Sequence, residues 1–202
     1  MTLTSKTVTE LLQEFRSPAP TPGGGSAAAL AGAVGASLLA MVAGLPKPRA
    51  ETDEDLRRLR DAGERCTTLA IDLEALVDRD SEAYELVVSA YRLPKSTEDE
   101  KVARARGIQD ALRAAIAAPL EVMRACAAGL ASGPVLQAHG NVNASSDVQV
   151  GLELLRAGLR GARLNVEINL GGVKDQTYAA EVAAEVARLS ESGAAGAPSA
   201  SS

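Results

Sequence analysis

Two aspartates stand two residues apart in the stretch LVDRDSEAY, at Asp78 and Asp80. The segment around them carries apolar residues at steps of three and four: Leu56, Leu59, Gly63, Cys66, Leu69, Leu73 and Val77, then Tyr84, Val87 and Tyr91. That spacing draws one stripe along a helix. Continued past Val77, the stripe meets Asp80, so this acid points where the core should be, whereas Asp78 falls well round the helix, toward solvent. A carboxylate taken out of water is costly unless it is paired or used. Burial raises its pKa and fits it to move protons. Asp80 is therefore the first candidate for general acid–base work and Asp78 the second. A structural ion pair with an arginine of a neighbouring helix is the competing account of Asp80.

A second group of residues offers a binding edge. Gly23, Gly24, Gly25 and Ser26 follow Pro18, Pro20 and Pro22 and open a run of small apolar residues with no charge before Lys47. Free N–H groups at a helix N-terminus suit a carboxylate or a polarised carbonyl; a bare cap with a tight turn is the plainer account. The run is no Walker loop, because it lacks the closing Gly-Lys-Ser/Thr. Nor is it a dinucleotide fingerprint, since a proline-rich turn precedes it instead of a strand. The uncharged stretch between Arg16 and Lys47 is long enough to span a membrane, but strong insertion would rest on Leu30, Val34, Leu38, Leu39, Val42 and Leu45 alone. A helix that is apolar all round because other helices enclose it fits better.

Other polar residues interrupt apolar patterns further along. Lys95, Lys101 and Arg104 gather cations around the start of one helix, as an anionic ligand would want, or as ordinary surface charge. Gln109 falls on that helix's stripe, Asn165 and Asn169 lie one helical turn apart, and Asp147 follows a helix start, where a negative charge complements the dipole.

Composition limits what these residues serve. The 202-residue chain is long enough for one domain with its own core, and alanine dominates while aromatics are scarce: one Phe, three Tyr and no Trp. A net charge of −5 and missing stacking platforms argue against nucleic acid. Cys66 and Cys126 lack C-x-x-C spacing and read as small buried hydrophobes in a reducing, cytoplasmic setting. The lone His139 leaves no multi-histidine metal site and is expected to be incidental in a loop. No secretory signal is visible.

The elements that must position these residues are helices. Helical segments are expected at 3–16, 26–45, 52–92, from a capping box at Thr97 and Glu100 to about 131, at 146–168 with Ser145 or Ser146 as cap, and at 174–191. Pro119 should kink the fourth, because the bond to residue 115 is lost. SGPVLQAHGNVNAS reads as a connection, and LNVEINL alternates but is too short to count as a strand. The expected fold class is all-α, a single-domain bundle of about six helices over 1–192 with a disordered tail at 193–202.

Several segments together resemble the cyclodeaminase/cyclohydrolase family of folate one-carbon enzymes, including the C-terminal domain of formiminotransferase-cyclodeaminase. They are PTPGGGSAAA (20–29), LVDRDSEAY (76–84), LPKSTEDEKVAR (93–104) with Gln109 following, APL (118–120), GNVNASSD (140–147) and NVEINL (165–170), in the family's order over about 150 residues. The resemblance implies an all-helical homodimer joined through helices, with a tetrahydrofolate derivative as substrate near the glycine loop and no separate cofactor or metal. It implies closure of 5-formiminotetrahydrofolate to 5,10-methenyltetrahydrofolate with loss of ammonia, ranked first. Hydrolysis of the methenyl bridge to 10-formyltetrahydrofolate is the alternative, and a non-folate amine or a pure binding role follows behind. Carried onto this chain, Asp80 and then Asp78 would move protons. Lys95 and Arg104 would hold glutamyl carboxylates or steer the substrate, and Gly23, Gly24, Gly25, Ser26, Asn141 and Asp147 would contact the pterin or the bridge. Tyr84 and Asn165 complete the expected substrate-binding set.

Overall fold

The computed structural model describes residues 2–194. Among them are seven α-helices and no strand: α1 (Val8–Arg16), α2 (Gly24–Gly44), α3 (Asp53–Tyr91), α4 (Glu98–Leu130), α5 (Gly133–His139), α6 (Ser145–Leu170) and α7 (Gln176–Ala194). Short 3-10 turns lie at Leu3–Ser5 and Val142–Ala144. Each of the six expected helical segments contains a helix, but the segment expected at 3–16 is divided: a 3-10 turn at Leu3–Ser5 ends at the extended Lys6, and α1 starts only at Val8 after its cap Thr7. The tail expected at 193–202 lies outside the described residues, apart from its first two residues, which close α7.

Local chemistry sets the helix starts. Thr7 with Glu10 and Thr97 with Glu100 form full capping boxes at α1 and α4, and Thr52 accepts from the Asp55 N–H at α3. Two expectations need correction here. The stretch 132–145 is not a bare connection: Pro134 sits in the first turn of α5, where its missing N–H costs nothing. Nor does a serine cap α6, which follows directly from the preceding 3-10 turn with Ala144 at its N-cap and no side-chain bond. LNVEINL belongs to the last turns of α6.

α2, α3, α4 and α6 form an antiparallel four-helix core. Ser26 meets Val77 at one end of the α2–α3 pair, and Ala43 meets Gly63 at the other. α6 also runs antiparallel to α2: a Cβ on Gly158 or Gly35 would stand 2.8 Å from the Ala28 carbonyl and 2.7 Å from the Gly151 carbonyl, so backbones touch there. α4 lies against α3 and α6 on the far side, with Leu39, Leu73, Val77, Ile116, Met123, Leu155 and Val166 fully buried between them. α7 closes over α4 and α6 through Val182, Val186 and Leu189 and through the paired bonds, each 2.8 Å, of Arg124 with Glu185.

Gly24–Gly44 and the stretch Glu98–His139 have the length and hydropathy of membrane spans, and both are packed into the bundle. The first has only 44% of its most apolar window buried, so much of an uncharged helix faces outward. Cys66 and Cys126 are free and fully buried, and burial pushes the Cys126 thiol up to about 12.

Candidate active site

The start of α2 runs into α3 at Asp80. The Ser26 N–H donates to Asp80 Oδ2 at 2.9 Å, and the Ser26 hydroxyl donates to the Val77 carbonyl at 2.8 Å. The same hydroxyl oxygen lies 3.3 Å from Asp80 Oδ2 and 3.2 Å from Ser81 Oγ. Gly25 permits the approach: a Cβ built on it would stand 2.0 Å from Asp80 Oδ1. Asp80 is half-buried and joins no ion pair among the described residues, so the arginine partner of the structural account is not there. Burial pushes its carboxyl above the ordinary value, and the backbone and hydroxyl bonds from Ser26 pull the other way.

Asp80 opens on a cavity of about 320 Å³. Pro20, Thr21, Gly23 and Gly24 form one wall, Tyr84 another, and Asn165, Ile168 and Asn169 of α6 a third, with Ala115 of α4 below. The helix-breaking prolines and the glycines leave backbone, not side chain, along the first wall. Asn165 donates to the Gly161 carbonyl (3.0 Å), and Asn169 donates to the Asn165 carbonyl (2.9 Å) and the Ala115 carbonyl (3.2 Å). The last bond answers for Pro119. Proline has no N–H to give the carbonyl four residues back, which is that of Ala115, and the Asn169 amide supplies the missing donor. With its amide protons so committed, Asn169 keeps a carbonyl oxygen as acceptor. Among the described residues no group of three His, Cys, Asp or Glu side chains lies close enough to hold a metal ion.

Of the residues expected at the site, Asp80, Gly23, Gly24, Gly25, Tyr84 and Asn165 come together here. Ser26 is in the same place but fully buried, behind Asp80 and not in front of it. Asp78 is turned away: its carboxylate accepts from the Leu3 N–H and from Thr4 Oγ1, fastening the N-terminal segment to α3 instead of facing solvent. Arg104 donates to the Tyr91 carbonyl at 3.1 and 3.3 Å and covers that ring at 5.6 Å. Tyr91 is about 16 Å along α3 from Asp80, and Lys95 is exposed beyond it. Gln109 bridges the α6–α7 turn, donating to the Gly172 carbonyl (3.1 Å) and accepting from the Lys174 N–H (2.7 Å). His139 ends α5 and lies 3.6 Å from Asp55, while its carbonyl accepts from the Arg49 N–H at 2.9 Å.

Asn141 and Asp147 are at the opposite end of the bundle. Asn141 caps the 3-10 turn and donates to the Pro46 carbonyl at 2.7 Å, beyond the C-terminus of α2. Asp147 is half-buried in the first turn of α6, about 27 Å along that helix from Asn165.

The sequence profile described as Formiminotransferase-cyclodeaminase matches residues 7–188. The chain belongs to the formiminotransferase-cyclodeaminase family. Within it, the chain is 39% identical over 194 residues to a methenyltetrahydrofolate cyclohydrolase of Methylorubrum extorquens, covering 94% of this chain and 92% of that protein. It is 34% identical over 190 residues to the formimidoyltransferase-cyclodeaminase of Sus scrofa, covering 93% of this chain but 35% of that longer protein. The crystal structure of formiminotetrahydrofolate cyclodeaminase from Thermotoga maritima superposes with a TM-score of 0.82 at 26% identity, over 94% of this chain and 91% of that one.

Proposed function

We propose that this member of the formiminotransferase-cyclodeaminase family is an enzyme acting on the carbon between N5 and N10 of a tetrahydrofolate derivative, with Asp80 moving the protons. The observation that carries the reading is a single half-buried carboxyl held at Oδ2 by Ser26, in a cavity walled by bare backbone and amides. Both reactions named for the relatives need one proton moved from an attacking group to a leaving nitrogen, and one carboxyl suffices for that.

Hydrolysis is the leading form, because a cyclohydrolase is matched along 92% of its length at 39% identity. Asp80 takes a proton from water as the C–O bond forms at the cationic bridge. It then gives that proton to N5 as the C–N5 bond breaks, and the remaining hydroxyl proton leaves as the formyl carbonyl forms. The second reading is the ring closure ranked first on the family resemblance, favoured by the likeness to the Thermotoga maritima cyclodeaminase. There N10 attacks the formimino carbon, Asp80 takes the N10 proton, and the departing amine receives it and leaves as ammonia. The substrate needs no separate cofactor in either reaction.

The proposal extends to a homodimer in the cytoplasm, resting on the outward apolar face of α2 and on two buried free thiols. The test follows the methenyl chromophore. Decay of 5,10-methenyltetrahydrofolate above the uncatalysed rate supports hydrolysis, its formation from 5-formiminotetrahydrofolate supports ring closure, and no change with either removes both.

A further inference from the structure

Ser26 belongs by sequence to the ligand-contacting glycine edge, yet it is fully buried, and its hydroxyl meets only protein. Around that one hydroxyl stand three oxygens: the Val77 carbonyl at 2.8 Å, Ser81 Oγ at 3.2 Å and Asp80 Oδ2 at 3.3 Å. A carbonyl only accepts, so the shortest contact takes the Ser26 proton. Ser81 must then donate to Ser26, and a Ser26 lone pair faces Asp80 Oδ2. That arrangement suits a neutral Asp80 whose proton is on Oδ2, where it is donated to that lone pair. It does not suit a carboxylate, whose oxygens only accept.

Rotation about one C–O bond removes the conflict. The hydroxyl proton swings from the Val77 carbonyl to Oδ2, while the Ser26 N–H keeps its own bond to Oδ2 throughout. Val77 is not left bare, because its carbonyl lies inside α3 and accepts the helical bond from the Ser81 N–H. We infer that the Ser26 hydroxyl is a rotor that follows the charge on Asp80, donating to Val77 while Asp80 is neutral and to Oδ2 when the carboxylate forms. A group that must take up a proton and release it in one turnover thereby finds a partner in both states, with no movement of the backbone. Ser26 is a positioning residue. This role rests on the reading of Asp80 as the proton-moving group.

Few other charges bear on Asp80. α2 has no charged residue, α4 presents Ala115, and α6 presents the neutral Asn165 and Asn169. On α3, Tyr84 shares the cavity and Asp78 is bonded to the N-terminal segment, where Lys6 and Glu14 pair with each other.

The test is a pH titration of the Asp80 carboxyl by 13C NMR on the full chain, assigned by the signal that Asp80→Asn removes. Ser26→Ala keeps the backbone N–H and deletes the rotor, and it is expected to raise the Asp80 midpoint by about one pH unit, a tenfold change in its acid constant. Ser81→Ala, which removes only the bond polarising the rotor, is expected to raise it by less. The acid limb of kcat/KM should move up with each midpoint. A folded Ser26→Ala with an unchanged or lowered midpoint overturns the rotor; if that variant does not fold, an unchanged midpoint in Ser81→Ala does so. The titration needs no substrate, so a chain that turned over neither folate would end the proposed function and leave the rotor to be judged by itself.

Discussion

At the scale of residues, the site turns on one carboxyl and the glycine that admits it. Asp80→Asn preserves an acceptor for the Ser26 N–H but cannot move a proton, so turnover should fall by about 10²–10⁴-fold in a folded protein. The same variant tests the electrostatics. The folded-state pKa of Asp80 is raised, so its contribution to stability is fully present below the unfolded value and is lost as pH rises through the folded value. Thermal melts should therefore show Asp80→Asn gaining on the parent chain from about pH 4 toward neutrality; a gap constant with pH would contradict the burial cost. Gly25→Ala is the complementary change. Its Cβ would stand 2.0 Å from Asp80 Oδ1, so the carboxylate must swing off its Ser26 bond. Activity should fall at least tenfold with the helix content unchanged by circular dichroism, since α2 itself tolerates alanine. Asp80 is legible in the sequence because the apolar stripe of α3 places it inward. The roles of Ser26 and Asp78 are not: which side of a carboxylate a neighbour occupies depends on how two helices are rotated against each other, and no single stripe encodes that.

At the scale of elements, one proline and one asparagine act together. Pro119 leaves the Ala115 carbonyl without its helical donor, and Asn169 of α6 supplies one at 3.2 Å. Asn169→Ala should cost about 1–3 kcal/mol in denaturant unfolding, the penalty of an orphaned buried acceptor. Adding Pro119→Ala should recover part of that loss, because the substitution restores a backbone N–H four residues beyond the Ala115 carbonyl; additive losses in the double variant would refute the pairing. In the sequence the proline announces a lost bond, but not the neighbour that answers it. The capping boxes at Thr7 and Thr97 are readable because all their atoms lie within four residues. α5 escapes a sequence reading because Gly133, Pro134 and Gly140 are turn signals as well as helix ends, and seven residues give periodicity too little length to speak. Charge groups Lys95 with Arg104, yet Arg104 spends its donors on the Tyr91 carbonyl, a contact made across the α3–α4 bend.

At the scale of the whole molecule, the residues that resemble the family's motifs divide between two ends of an antiparallel bundle. Asp80 and the glycines are at one end, Asn141 and Asp147 at the other, and the distance along α6 forbids one ligand site from using both within a chain. Between these ends runs an uncharged outer surface. α2 contributes Ala27, Ala31, Val34, Leu38 and Met41, with Leu45 just past its end, and α6 beside it contributes Val150, Leu154, Ala157, Gly161, Leu164 and Ile168, each exposed or half-buried. Two helices of this length present about 30 Å by 20 Å, the footprint of a standard interface. A second copy related by a two-fold axis across the bundle would cover that surface and bring its Asp147 end to the first copy's Asp80 end. The proposed dimer thus predicts complementation. Asp80→Asn and Asp147→Asn should each be impaired alone. Mixed and allowed to exchange, they should recover about a quarter of the parent activity, since half the dimers are mixed and each mixed dimer carries one intact site of two. Val34→Arg, placed in the middle of the α2 stripe, should give a monomer by sedimentation and abolish the recovery. Exchange without recovery would mean that Asp147 serves no site of the partner, and the dimer would then have to be argued from the apolar surface alone.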